Sequence, residues 1–222
     1  MEQSEYIALH VREEDGRARH AWPLTRGVAL PEGSVREIDS LHLWDESDLA
    51  QPAQFRVLSR WGDGSIKWIL TDFQADLSPQ QSRTFALRWN GDSQNVTVKT
   101  PIAIADDDDH IVVCTGPLRF GISKTRFTLI EHAESGRCDA QGHFVSERPL
   151  LRRGGGDAWA VIDESAHDGS TQRQLYGMGG TCRASLAADE YSACVEEAGP
   201  LRTVIRCSGA DRKSTRLNSS HQ

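Results

Sequence analysis

Arg60-Trp61-Gly62-Asp63-Gly64-Ser65-Ile66-Lys67-Trp68 brings two indoles, two cations and a carboxylate close together in the chain. Exposed aromatic faces stack on sugar rings, and polar neighbours such as Arg60, Asp63 and Lys67 would bond the hydroxyls around them. Tyr176, in the glycine-rich run Tyr176-Gly177-Met178-Gly179-Gly180, adds an aromatic that could line a sugar cleft, although a tight loop between strands is the plainer reading. Trp61, Asp63, Trp68, Arg60 and Tyr176 are therefore the candidate carbohydrate contacts. The hairpin residues also have a structural reading. Asp-Gly between the apolar flanks Gln54-Phe55-Arg56-Val57-Leu58-Ser59 and Ile69-Leu70-Thr71-Asp72-Phe73 is a strong hairpin signal. In a regular hairpin Trp61 and Trp68 stand opposite each other on one face, which would be core if buried. Asp63 would then bond the turn's backbone, with Gly62 and Gly64 at positive φ. The alternating strands around the hairpin favour core over a stacking platform.

Other chemistry is sparse. The eight histidines are scattered without ligand spacing, so no metal site is expected. Asp106-Asp107-Asp108-Asp109 lacks the alternating ligands, glycine and distal Glu of an EF-hand and reads as a solvated linker or turn. Gly154-Gly155-Gly156-Asp157 lacks the lysine of a phosphate loop, and no Gly-x-Ser-x-Gly elbow is present. No cofactor is implied and no catalytic residue is assigned.

The elements that must position these residues are short and β-like. Tyr6–Val11, Val35–Trp44, the central hairpin, Arg83–Trp89 and Val96–Val98 read as strands separated by turn signals. Trp22-Pro23 to Gly33 reads as an edge or crossing loop, since proline cannot donate to a ladder. Phe85, Leu87 and Trp89 fall on one face. Five of the six tryptophans lie in the first ninety residues and offer that half large side chains to bury. No window has a convincing helical period. Residues 1–104 are expected to form a β-barrel or sandwich, of about a hundred residues. Strands resume at His110–Cys114, Leu118–Ile122, Phe127–Ile130, Trp159–Ile162, Thr181–Leu186, Tyr191–Val195 and Leu201–Cys207, so residues 105–210 are expected to form an incomplete β-sandwich.

The net charge of −7 without a basic stripe argues against nucleic acid as a partner. No apolar run is long enough to span a membrane. The acidic start Met1-Glu2-Gln3-Ser4-Glu5 lacks the features of a signal peptide, which points to the cytoplasm. An odd set of five cysteines without tight spacing fits reduced thiols, and Asn95-Val96-Thr97 reads as a chance sequon. Asp211 to His221 matches, residue for residue, the translation of a common short-read sequencing adapter, so residues 211–222 are expected to be an adapter-derived artefact and the natural chain to continue beyond Ala210.

Trp22-Pro23-Leu24-Thr25-Arg26-Gly27-Val28, Leu30-Pro31-Glu32-Gly33, Pro52-Ala53-Gln54 and the Arg60–Trp68 hairpin together resemble the N-terminal barrel of the exo-rhamnogalacturonan lyase (PcRGLX) and YetA-like family. Thr115-Gly116-Pro117-Leu118-Arg119-Phe120 with Phe127-Thr128-Leu129 resembles the start of that family's central β-sandwich. The resemblance implies a RIFT-type barrel, a β-sandwich and a C-terminal α/α-toroid, of which the toroid is missing here. It implies β-elimination at a uronic acid, with an oligo- or polysaccharide and the missing C-terminal domain as partners. On this reading the fragment is a non-catalytic scaffold. The alternatives are a stand-alone carbohydrate-binding or adhesion-type β-module, or a structural β-sandwich without a ligand.

Overall fold

A computed structural model describes residues 6–89, 96–139, 143–152, 159–161, 181–183 and 188–211. Among the described residues the chain is all-β, with one short 3-10 turn at Ile38–Ser40. It divides into two compact units. The first runs to Lys99 and includes Gly199–Arg202. The second takes Thr100–Ala198 and the chain from Thr203 on.

The first unit holds β1 (Tyr6–Arg12), β2 (Arg19–Ala29), β3 (His42–Trp44), β4 (Ala50–Gln51), β5 (Ala53–Arg60), β6 (Ile66–Leu77) and β7 (Ser82–Arg88). These form an antiparallel sheet in the order β1-β7-β3-β4 and another in the order β2-β6-β5, with no hydrogen-bonded ladder closing the two into one cylinder. Strand β6 shows why this sequence makes this layer. Ile69, Thr71, Phe73, Ala75 and Leu77 alternate and are all buried. They meet Leu9, Leu43, Phe85 and Leu87 from the facing sheet, and the Phe73 and Phe85 rings pack edge-to-face at 5.0 Å. Glu13 welds two turns at one end. Its carboxylate accepts from the backbone N–H groups of Asp15, Gly16 and Gln80 at 2.8–3.1 Å.

Several expectations need correction. Of the two readings of residues 22–29, the crossing loop is not the one seen: they form β2, an edge strand, where Pro23 costs no ladder bond. Residues 35–44 are not one strand. The Ser40 hydroxyl donates to the Glu37 carbonyl and bends the chain into the 3-10 turn before β3. Val96–Val98 is not strand. Of the five early tryptophans only Trp89 is buried, and aliphatic and phenylalanine side chains make the core instead.

On the outer face of β5 and β6 the Gln54 amide grips a distant piece of chain. Its Oε1 accepts from the N–H groups of Leu201 and Arg202, and its Nε2 donates to the Arg202 carbonyl at 3.1 Å. A Cβ at Gly199 would collide with the Gln54 amide, which would have to leave its present position. Neighbouring Asp72 is buried. It accepts a hydrogen bond from the Thr25 hydroxyl and has Arg202 Nε 3.9 Å away.

The second unit contains β8 (Ala103–Asp106), β9 (His110–Cys114), β10 (Leu118–Ser123), β11 (His132–Cys138), β12 (Phe144–Leu151), β13 (Trp159–Val161), β14 (Thr181–Arg183), β15 (Ala188–Glu197) and β16 (Val204–Asp211). Strands β8 to β12 form one antiparallel sheet in sequence order, while β13–β14 and β15–β16 are separate hairpins. Ile111, Val113 and Ile122 from the sheet pack with Ala193, Tyr191 and Ile205 from the β15–β16 hairpin. The acidic run is the β8–β9 turn, where Asp107 Oδ1 accepts from the N–H groups of Asp109 and His110. Phe127–Ile130 is not strand, and Leu129 sits at φ 56°. Gly154–Asp157 and the proposed adapter residues 212–222 lie outside the described residues.

Candidate functional site

The Arg60–Trp68 hairpin is built from its turn outward. The Trp61 N–H donates to the Ser65 carbonyl at 2.8 Å, and the Gly64 N–H donates to the Trp61 carbonyl at 3.0 Å. Gly64 takes φ +84°, a conformation that disfavours a side chain, whereas Gly62 does not have positive φ. Asp63 Oδ1 accepts from both the hydroxyl and the backbone N–H of Ser65, at 2.5 and 2.9 Å. The Ser65 hydroxyl and amide, with Arg36 beside them, hold the Asp63 carboxyl below its usual range. Arg60 donates through Nη1 to the carbonyls of Arg36 and Gly64 at 2.9 and 2.8 Å. Arg36 returns a hydrogen bond to the Asp63 carbonyl at 2.7 Å and lies 3.5 Å from its carboxylate. The polar groups of this motif are thus bonded to their own turn and to the chain around Gly33 and Arg36.

The tryptophans are neither paired nor core. Register shifts around Ser59 place that residue opposite Trp68. Trp61 stays half-buried in the turn, with its indole N–H on the Leu30 carbonyl at 3.0 Å. The Lys67 ammonium sits 4.4 Å from its ring centroid. This cation–π contact covers one face of the ring. Trp68 lies on the outer face of β6, opposite Ala29 and against Gly27, and is 42% exposed. The structure therefore brings Arg60, Trp61 and Asp63 together as a clasp and leaves Trp68 apart on the outer sheet face. Tyr176 lies outside the described residues.

A second feature has no signal in the sequence pattern. Where the chain passes from β4 to β5 at Gln51-Pro52-Ala53, a cleft of about 360 Å³ opens between strands of the two sheets. Ile38, Asp39, His42, Gln51, Phe55 and Val96 are among its walls. The Gln51 amide nitrogen is held by Asp45 Oδ2 at 2.9 Å and the Leu49 carbonyl at 3.2 Å. These residues come from the 3-10 turn, β3, β4, β5 and the chain at Val96, so no short motif could have announced them.

The second unit carries polar clusters of its own. Arg119 donates from Nε and Nη2 to Glu134 Oε1 at 3.0 and 2.6 Å. The Ser146 side chain and then Arg119 hold the Glu134 carboxyl below its usual range. His110 Nε2 lies 3.0 Å from Glu131 Oε2. The His132 ring covers Gly121, where a Cβ would collide with it. Among the described residues no group of three His, Cys, Asp or Glu side chains is placed to hold a metal ion.

The first unit is thus an all-β barrel-type module whose most conspicuous motif is tied into its own fold. Residues 8–88 match the family model described as the PcRGLX-like N-terminal RIFT barrel domain. Over that span the chain is similar to a RIFT-type barrel domain, in keeping with the all-β first unit. No curated protein matches the chain.

Proposed function

We propose that the barrel unit is a non-catalytic part of a polysaccharide lyase acting on rhamnogalacturonan-type or related uronate-containing glycans, where it scaffolds an α/α-toroid domain. The observation that carries this reading is the bonding of the hairpin. Arg60 and Asp63 are spent on backbone and side-chain partners within the module, and Lys67 lies over Trp61. A lyase needs a group to neutralise the uronate carboxylate, a base for the C5 proton and an acid for the leaving oxygen. The clasp presents no such free set. The family match supports the glycan class.

The test is to incubate this chain, and a version joined to a toroid domain, with pectic oligosaccharides and follow the absorbance of unsaturated uronate. Product is expected only from the joined protein. Product from this chain alone would overturn the scaffold reading.

Trp68 favours a second reading, a carbohydrate-binding module, because its indole is exposed on a sheet face. Affinity electrophoresis in pectin separates the two. Under the scaffold reading Trp68→Ala migrates like the parent, whereas loss of retardation in that variant would establish the binding module.

A further inference from the structure

We infer that the cleft between β4 and β5 is a binding site for one neutral sugar ring. The inference extends the scaffold reading without depending on it, since a module can brace another domain and still hold a single residue of glycan.

The cleft exists because of how the chain changes sheets. Strand β4 ends one sheet and β5 ends the other, with only Pro52 between them. Proline has no N–H to donate, so the crossing point cannot extend either ladder. The two sheet edges part there, and the space of about 360 Å³ falls within the range of small-ligand sites.

Its lining defines the ligand by chemistry. Asp39 is an acceptor only, and Gln51 contributes an amide whose nitrogen is already held by Asp45 and Leu49. His42 is half-buried and, among the described residues, has no hydrogen-bond partner, so its ring nitrogens can serve as one donor and one acceptor. Such a set suits hydroxyl groups, each of which donates and accepts. Phe55, Ile38, Leu41 and Val96 supply apolar surface for the C–H face of a ring.

The charge pattern excludes an acid. Among the described residues no Lys or Arg lines the cleft, and Asp39 places a negative charge at it. Arg88 lies across from His42 in the ladder, but its guanidinium pairs with Asp48 at 2.7 Å and sits over the Trp44 ring. A uronate carboxylate would therefore meet Asp39 without a compensating cation. The ring accepted here is a neutral neighbour in the glycan rather than the uronate.

The experiment titrates the whole chain with methyl rhamnoside, methyl galactoside and galacturonic acid, read by saturation-transfer NMR and calorimetry. Saturable binding of a neutral glycoside is expected, with weaker or undetectable binding of galacturonic acid. Asp39→Ala and His42→Ala should each weaken it about tenfold, the size of one or two lost hydrogen bonds. Both positions are at least partly exposed, and unchanged melting temperatures would show that these variants fold. The inference is overturned if no neutral glycoside binds saturably, if galacturonic acid binds more tightly, or if both cleft variants retain affinity. Neither result bears on the lyase assay, so the two readings fail separately.

Discussion

Single residues decide whether a motif is chemistry or architecture. Asp63 is legible in the sequence as a turn residue, and its bonds to Ser65 are those the Gly-Asp-Gly-Ser spacing implies, whereas the bonds of Arg60 to the Arg36 and Gly64 carbonyls are not. Glu13 is the residue that sequence reading passes over. It sits in an unremarkable acidic turn, yet its carboxylate is buried under backbone N–H groups from two turns. The Gln80 N–H, followed by those of Arg17, Gly16 and Asp15, outweighs burial and lowers its pKa below 4.5. A lowered folded-state value means that the ionised form stabilises the fold. That contribution is full above about pH 4.5 and is lost as pH falls through the lower folded value. Glu13→Gln should melt lower than the parent at pH 7, and the gap should narrow in thermal melts as pH drops below 4. Cys138 offers a second check. Although Cys138 is exposed, local desolvation, and then Cys114 beside it, raises its thiol pKa. Iodoacetamide should label Cys138 slowly at pH 8, and Cys114→Ser should speed the reaction several-fold by restoring thiolate. No spacing in the sequence brings residues 114 and 138 together. The antiparallel sheet does so.

Strands were readable where apolar residues alternate and hidden where they do not. Arg83–Trp89 alternates strictly, and Phe85, Leu87 and Trp89 are buried as that pattern requires. Strand β11, His-Ala-Glu-Ser-Gly-Arg-Cys, has no apolar rhythm and exists through its ladders to β10 and β12. The Trp61–Trp68 pairing failed for another reason. Ladder irregularities in β5 offset the register, and a small slip changes which residues face each other. Strand β6 also carries a defect that only the structure reveals. Thr71 is wholly buried and, among the described residues, its hydroxyl has no partner. Thr71→Val keeps the shape and removes the orphan, so the variant should gain about 1 kcal/mol in urea unfolding. A loss of stability would mean that the hydroxyl has an internal partner, such as a buried water.

At the scale of the whole chain, the two units own separate cores. Leu87 is fully buried in the first and Ile111 in the second, with no residue common to both clusters. Leu87→Ala should cost about 2–5 kcal/mol and raise hydrogen exchange across β6 and β7. Ile111→Ala should do the same across β9 and β10. The first unit is nevertheless not one continuous length of chain, because Gln54 closes on Leu201 and Arg202. This matters for how the protein is made. Gln54 leaves the ribosome 148 residues before Arg202. At about 5–20 residues per second that is a wait of roughly 7–30 s. Through that interval the nascent barrel can close its core but cannot complete its outer face. The module that is translated first therefore waits for its last piece until most of the second unit has been synthesised.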